Sequence, residues 1–334
     1  NKGMTTRKNT YSWQFWLLCL SSLLFFSSFT MIIPELPAYL ESMGGGEQKG
    51  LIIFIFTISA GLSRPFSGKL ADVIGRVPVI MFGAVVCVIC GLFYPFATSV
   101  SGFLFIRLVH GMSTGFTPTG ASAYVADIAT PEKRGEALGI QGLCANVGAA
   151  YGPVLGSTLT LEYSIDVMFY ASSASALLSV LILLGLKETI PNKKKFSPKI
   201  LLLKKDEIIE KRVLLPALVM VLIVYSFGVI LTIIPDLSVH LGMENKGAFF
   251  SYLTIASVLV RFFAGKASDK YGRSFVLSLA AACLGIAMLL IGFVKTPEQL
   301  ILCALLFGFS HGTASPTIFA WTIDLGLEHA RGKA

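Results

Sequence analysis

From Asn9 to Pro34 the chain runs without one charged side chain. A helix needs about twenty apolar residues to cross a hydrocarbon core of roughly 30 Å. Ten stretches of the 334-residue sequence have that character: 13–36, 50–67, 78–97, 102–126, 137–160, 167–186, 213–236, 247–265, 274–294 and 299–323. Lipid offers no partner to an open peptide group, so each stretch is expected to be a helix that closes its own hydrogen bonds. The first is longer than the roughly 7–15 residue core of a cleaved signal, and is read as a retained span. Composition agrees, with 54% hydrophobic and 14% charged residues against roughly 25% charged in soluble domains. The expected fold class is an all-α polytopic membrane protein with ten transmembrane helices in this chain.

The net charge of +8 is informative through its placement. With the amino terminus inside, 21 of the Lys and Arg residues fall on one side, in the connections after even-numbered spans and at the termini, and only Lys49, Lys246 and Lys295 on the other. This is the positive-inside pattern of a plasma membrane protein. It gives the basic charge a lipid partner and makes a nucleic-acid partner unnecessary. The one long connection, 187–212, carries Lys193-Lys194-Lys195 and an Ile200–Leu203 run, which together suit a linker at an anionic inner leaflet. All six cysteines lie in apolar runs, so Cys87 and Cys90 read as packing residues, and no metal or other cofactor is expected.

The sequence also repeats itself. Arg64-Pro65-Phe66-Ser67-Gly68-Lys69-Leu70-Ala71-Asp72-Val73-Ile74-Gly75-Arg76 returns 197 residues later as Arg261-Phe262-Phe263-Ala264-Gly265-Lys266-Ala267-Ser268-Asp269-Lys270-Tyr271-Gly272-Arg273, with 7 of 13 positions identical. Gly111, Gly115, Asp127, Arg134 and Gly135 return at the same offset as Gly308, Gly312, Asp324, Arg331 and Gly332. Ile32-Ile33-Pro34-Glu35-Leu36 returns as Ile233-Ile234-Pro235-Asp236-Leu237. Such long-period similarity implies duplicated architecture. It divides the chain into a six-helix half (1–186), a linker (187–212) and a second half (213–334) with four helices. Spans one to four match seven to ten, and counterparts of spans five and six are expected beyond Ala334, giving ten of twelve.

The loop G-K-L-A-D-x-x-G-R between spans two and three resembles the signature of the major facilitator superfamily. Leu104–Gly111 resembles the family's span-four pattern around an arginine. Gly148-Ala149-Ala150-Tyr151-Gly152-Pro153-Val154-Leu155-Gly156 resembles the span-five pattern of its drug-and-proton antiporter branch, with Ser157 where a further glycine is common. The resemblance implies two pseudo-symmetric helical halves and a conformational latch made of Gly68, Asp72, Gly75, Arg76, Asp127 and Arg134, echoed by Gly265, Asp269, Gly272, Arg273, Asp324 and Arg331. It implies no catalytic residues. Gly68 and Asp72 share a helical face, which suggests that the missing side chain at Gly68 admits a neighbouring helix.

Gly148, Gly152 and Gly156, with Pro153, form a ridge for close helix packing, expected against the second half. Charges inside a bilayer are costly and usually functional, which makes Arg107 a candidate cavity residue. His110, one turn on, is either a proton-exchanging group or a satisfied packing residue. Glu35 and Asp236 are candidate proton carriers or residues of the outer rim. His311 joins Phe25, Phe26, Phe29, Tyr225, Phe227, Phe309 and Trp321 as a candidate cavity lining, suited to a hydrophobic or amphipathic small molecule. The expected function is secondary active transport by alternating access, as proton-coupled efflux. Uptake of a sugar, organic acid or metal chelate, and a non-transporting membrane sensor, are the alternatives. No nucleophile–base set or phosphate loop suggests an enzyme.

Overall fold

The computed structural model describes residues 11–130, 133–191 and 214–325. Among these residues every element is helical: α1 (Trp13–Met31), α2 (Leu36–Ser42), α3 (Lys49–Ile74), α4 (Arg76–Phe93), α5 (Val100–Ile128), α6 (Arg134–Glu162), α7 (Ile165–Leu183), α8 (Leu214–His240), α9 (Ala248–Tyr271), α10 (Arg273–Ile291) and α11 (Pro297–Leu325). Eight helical segments are long and apolar enough to cross a membrane. A helix covers most of each of the ten stretches, but α5 and α6, at 29 residues each, are not among the eight apolar enough to cross a membrane. Their turns carry Gly, Ser, Thr and charged residues that serve packing, which lowers the hydropathy on which the expected count of ten relied.

Span one is not continuous. Pro34 and Pro37 lack the amide hydrogen that a helix needs. The chain accordingly leaves α1 at Met31, makes a 3-10 turn over Ile33–Glu35, and resumes as α2. Glu35 sits at the break and is buried.

The duplicated loop owes its tightness to glycine. A single residue, Gly75, separates α3 from α4, and Gly272 separates α9 from α10. Their φ values of 123° and 90° lie where a Cβ is strongly disfavoured. Two antiparallel helices can therefore turn on one residue.

The described chain forms two compact units. Of the described residues, the first draws on 11–29, 55–130, 133–148 and 169–191, the second on 30–54, 149–168 and 214–325. In the first, Phe15, Leu18, Phe25, Ile80, Tyr124 and Val125 build a core from α1, α4 and α5. Serine hydroxyls tie α1 to α7: Ser28 donates to the Ser172 carbonyl at 2.7 Å and Ser172 to the Ser28 carbonyl at 2.9 Å. Hydroxyl-to-carbonyl bonds of this kind hold helices together where burial of apolar surface gives no preference over lipid. In the second unit Ile223, Ile230, Phe249, Leu253, Leu284 and Phe307 form the core.

The sequence repeat is also a packing repeat. A Cβ at Gly111 of α5 would strike the Phe56 carbonyl and the Ser59 side chain of α3. A Cβ at Gly308 of α11 would strike the Leu253 carbonyl and the Ala256 side chain of α9, the positions 197 residues on. Gly115 meets Ala60 and Ser63; Gly312 meets Ser257 and Val260. Close backbone approach explains why these four glycines survive in both copies. Gly111→Ala and Gly308→Ala should each destabilise the protein by about 1–3 kcal/mol, as overpacking against backbone does. Thermal unfolding of the detergent-solubilised protein would read this as comparable falls in Tm, and unchanged melting in either variant would contradict the shared packing.

Candidate functional site

The signature turn closes a charged cluster on the basic side of the first unit. Arg76 Nε donates to Asp127 Oδ2 at 2.9 Å, and its Nη1 donates to Asp72, four residues back on α3. The guanidinium is largely covered, while the Asp72 side chain is 68% exposed. The fork of donors on Arg lets one group bridge two carboxylates, so α3, the turn and the end of α5 are joined by one side chain. In the second copy, Arg273 Nη1 reaches Asp269 Oδ1 at 2.5 Å and Ser268 Oγ at 2.9 Å. The side chain of Asp324 and the whole of Arg331 lie outside the described residues. Arg134 opens α6 and is exposed. Gly68 departs from expectation: a Cβ there would meet only Thr119 Cγ2, at 4.0 Å, and one at Gly265 would meet nothing described within 4 Å. Among the described residues, neither glycine stands in the close backbone contact seen at Gly111 and Gly308.

The charged cluster contains a residue that sequence reading missed. Glu188, five residues after α7, places its carboxylate over the start of α4. Its Oε1 accepts from Arg76 N at 2.9 Å and its Oε2 from Val77 N at 3.1 Å. Oε1 also takes the amides of Thr189 and Ile190, at 2.9 and 3.2 Å. Gly75, the capping residue of α4, has no side chain to offer these amides. A carboxylate supplied from 112 residues away takes its place at the positive end of the helix. A Cβ at Gly75 would collide with this carboxylate, a second reason for glycine there. Thr189 Oγ1 donates to Asp127 Oδ2 at 2.7 Å, sharing it with Arg76. The sequence signal was an acidic residue at the head of a linker whose net charge is basic.

Within the first unit, Arg107 is buried beside Tyr94 and His110. Its Nη1 donates to Tyr94 Oη at 3.2 Å, and its guanidinium carbon lies 4.3 Å from the centre of the Phe56 ring. Tyr94 Oη is 3.0 Å from His110 Nδ1, and His110 Nε2 is 3.3 Å from Cys87 Sγ. Arginine can only donate, so a Tyr94 hydroxyl that accepts from it turns its own proton to Nδ1, leaving Nε2–H to point at Cys87. Cys87 Sγ lies 3.4 Å from Ser28 Oγ, which completes a chain of polar contacts back to α7. Both ring nitrogens of His110 are occupied.

The span-five ridge has two different faces. Cβ atoms at Gly148 and Gly156 would strike the carbonyls of Leu23 and Met31 on α1. These two glycines therefore serve packing within the first half of the sequence, a correction to the expected contact with the second. Contact with the second half falls beside them: Ser251 of α9 donates to the Ala150 carbonyl, and a Cβ at Gly247 would strike the Pro153 carbonyl. Pro153 leaves no donor on its own nitrogen, and Gly152 lies next to it in α6. Ser157 Oγ donates to Glu35 Oε1 at 2.7 Å and accepts from Gly247 N at 3.0 Å. Lys246 Nζ is 2.7 Å from Glu35 Oε2. Asn245 Nδ2 reaches Thr158 Oγ1 at 3.0 Å and the Val154 carbonyl at 3.2 Å. Lys49 Nζ lies 2.7 Å from both Asp236 Oδ2 and Glu41 Oε2.

The residues of the expected cavity lining fall in both units. Phe25 is in the core of the first unit, and Phe26 and Phe29 pack around it. His311 stacks on Phe227 with ring centres 5.1 Å apart. Tyr225 is 72% exposed, and Trp321 packs against the second core. Phe309 lines an apolar groove with Val260, Ala264, Phe275 and Thr313.

Apolar helices in two repeated sets, each turning on a glycine–arginine pair, define a multi-pass membrane transporter. The model of the Major Facilitator Superfamily matches residues 18–334, and the chain belongs to that family. It is 29% identical over 314 residues to the multi-drug resistance efflux pump PmrA of Streptococcus pneumoniae serotype 4, covering 88% of this chain and 76% of the pump. Its identity to the multidrug resistance protein MdtG of Serratia proteamaculans is 29% over 315 residues, covering 87% of this chain and 74% of that protein. The fold matches the nucleoside transporter NupG with a TM-score of 0.76 at 13% identity, over 96% of this chain and 85% of that one.

Glu188→Ala leaves two amides at the start of α4 uncapped and should cost about 1–2 kcal/mol. Glu188→Gln, which keeps a carbonyl acceptor but no charge, should fall between it and the parent. Melting curves of the three proteins check this ordering.

Proposed function

We propose that the chain is an exporter that works by alternating access and carries hydrophobic or amphipathic compounds out across the plasma membrane, with protons entering in exchange. Its sequence halves, 1–186 and 213–334, rock about a midplane site, α5 and α6 count as spans, and the amino terminus is cytoplasmic. The observation that carries this reading is Arg76 held between Asp72 and Asp127 at a glycine turn, together with the efflux-pump names of relatives aligned over most of the chain. The Arg76 cluster is the cytoplasmic latch: it holds that side shut and breaks when the side opens. The turn at Arg273 is its counterpart, completed by Asp324 and Arg331.

Glu35 is the proton carrier in this reading. It is a buried carboxylate, faced by Lys246 from the α8–α9 connection and Ser157 from α6. Proton occupancy of the carboxylate would compete with Lys246 for it. One charge crossing about 100 mV supplies roughly 2.3 kcal/mol, enough for a gradient of more than tenfold. Asp236, half exposed, belongs to the rim. Arg107 and His110 hold α4 and α5 at the floor of the site, with His110 as a packing residue.

Dye movement in proteoliposomes with an imposed pH gradient tests the function. Asp72→Asn should cut the rate about tenfold with normal amounts of folded protein in the membrane. Glu35→Gln should leave facilitated exchange but remove its response to the gradient. Wild-type rates in Asp72→Asn would remove the latch, and a gradient response in Glu35→Gln would remove the carrier. His110→Gln should retain the parent's pH dependence at lower stability, and a flattened pH profile would return His110 to the coupling mechanism.

A further inference from the structure

Two ion pairs on the side opposite the signature turns repeat one another crosswise. Glu35, which follows α1 in the first half of the sequence, pairs with Lys246, which precedes α9 in the second. Asp236, near the end of α8 in the second half, pairs with Lys49, which opens α3 in the first. Lys49 and Lys246 are 197 residues apart, the offset of the signature turns themselves. Each half thus lends its acid to the other half's lysine. A two-fold symmetric interface makes the same reciprocal exchange. These lysines are also two of the three basic residues that the charge pattern assigns to this side.

The copies are unequal, and the sequence says why. Glu35 and Asp236 hold the same place in the repeated Ile-Ile-Pro-acid-Leu motif, but they are 201 residues apart and the lysines 197, so the connection from acid to the following lysine is four residues shorter in the second copy. Its side chain is 49% exposed, and Glu41 shares its lysine. The Glu35 side chain is 4% exposed and Lys246 18%. A buried pair is costly to break by removing one partner, whereas an exposed pair contributes little. The buried pair is further fixed by Ser157, which accepts from Gly247 N and donates to Glu35, and by Asn245 on Thr158 and Val154. The Asn245–Gly247 segment of one half is clamped on α6 of the other, against the carbonyl of Pro153.

We propose that these reciprocal pairs, with the Asn245–Gly247 clamp, are the gate that closes the side opposite the signature turns. The Glu35–Lys246 pair holds it and Ser157 positions the carboxylate. The gate rests on the alternating-access reading, in which this contact must open once per cycle. A structural contact of the same composition would stay closed throughout.

The test is a reversible lock. In a background with the six native cysteines replaced, Thr158→Cys and Asn245→Cys are joined by a short bis-methanethiosulfonate reagent, and dye transport is measured in proteoliposomes before cross-linking, after it, and after reduction. The expected result is loss of transport on cross-linking and recovery on reduction. Cross-linked protein that transports at the uncross-linked rate overturns the gate. A second set of variants asks about the pair itself. With no pH gradient imposed, so that proton coupling through Glu35 is not read, Glu35→Lys and Lys246→Glu alone should each slow dye exchange about tenfold, the exchanged double variant should regain most of that exchange rate, and Asp236→Asn should lose less than about threefold. A neutral pair, Glu35→Gln with Lys246→Met, should also outperform either charge reversal. Double variants no better than the single ones overturn the pairing. If the uncross-linked background moves no dye, the transport reading falls and takes the gate with it. If it moves dye that cross-linking does not stop, only the gate falls.

Discussion

A hydroxyl or charge carried into hydrocarbon costs free energy until another group of the chain meets it, and that requirement shapes this protein at every scale. Within one helix the backbone meets itself. Between helices, glycines let carbonyls approach, and serines such as Ser28 and Ser172 exchange hydrogen bonds with the backbone they face. Where a full charge is buried, the partners multiply. Arg107 lies against Phe56 and Tyr94, and Glu35 against Ser157 and Lys246.

The two charged clusters differ in a way that suits their places. At the signature turn, one guanidinium bridges two carboxylates, and the Glu188 carboxylate accepts from four backbone amides. On the opposite side each lysine meets an acid of the other sequence half, Lys246 with Glu35 and Lys49 with Asp236, although Glu41 shares Lys49. A bridge within one helical half and a pair across two halves respond differently to motion. The first fixes local geometry, and the second reports whether the halves are together.

Much of this was legible in the sequence. The apolar stretches gave the helices because their length matches a bilayer, and the duplicated Gly75-Arg76 and Gly272-Arg273 gave the tight turns because only glycine accepts that backbone. The 197-residue offset anticipated the packing of Gly111 on Phe56 and of Gly308 on Leu253. The ridge of Gly148 and Gly156 was visible as a packing surface, but not its partner, since small residues advertise close approach without naming what approaches. The break after Met31 was written in Pro34 and Pro37, and was obscured by the hydrophobicity on both sides. The reciprocal lysines carried a readable signal, their shared offset. Their acids repeat as well, in the Ile-Ile-Pro-acid-Leu motif, but at an offset of 201, and no sequence pattern says that each acid meets the other copy's lysine.

The sequence by itself determined that this chain spans a membrane as helices, that it is duplicated, and that it belongs among transporters built on that duplication. Hydrophobic length, charge asymmetry and repeated turns are local properties and need no neighbours to be read. Only the tertiary structure decided which charges meet. Glu188 reaches Arg76 across 112 residues and Lys246 reaches Glu35 across 211. Pairing over such distances depends on how helices pack and on the path of the connections between them, and that packing leaves Glu35 buried and Asp236 half exposed.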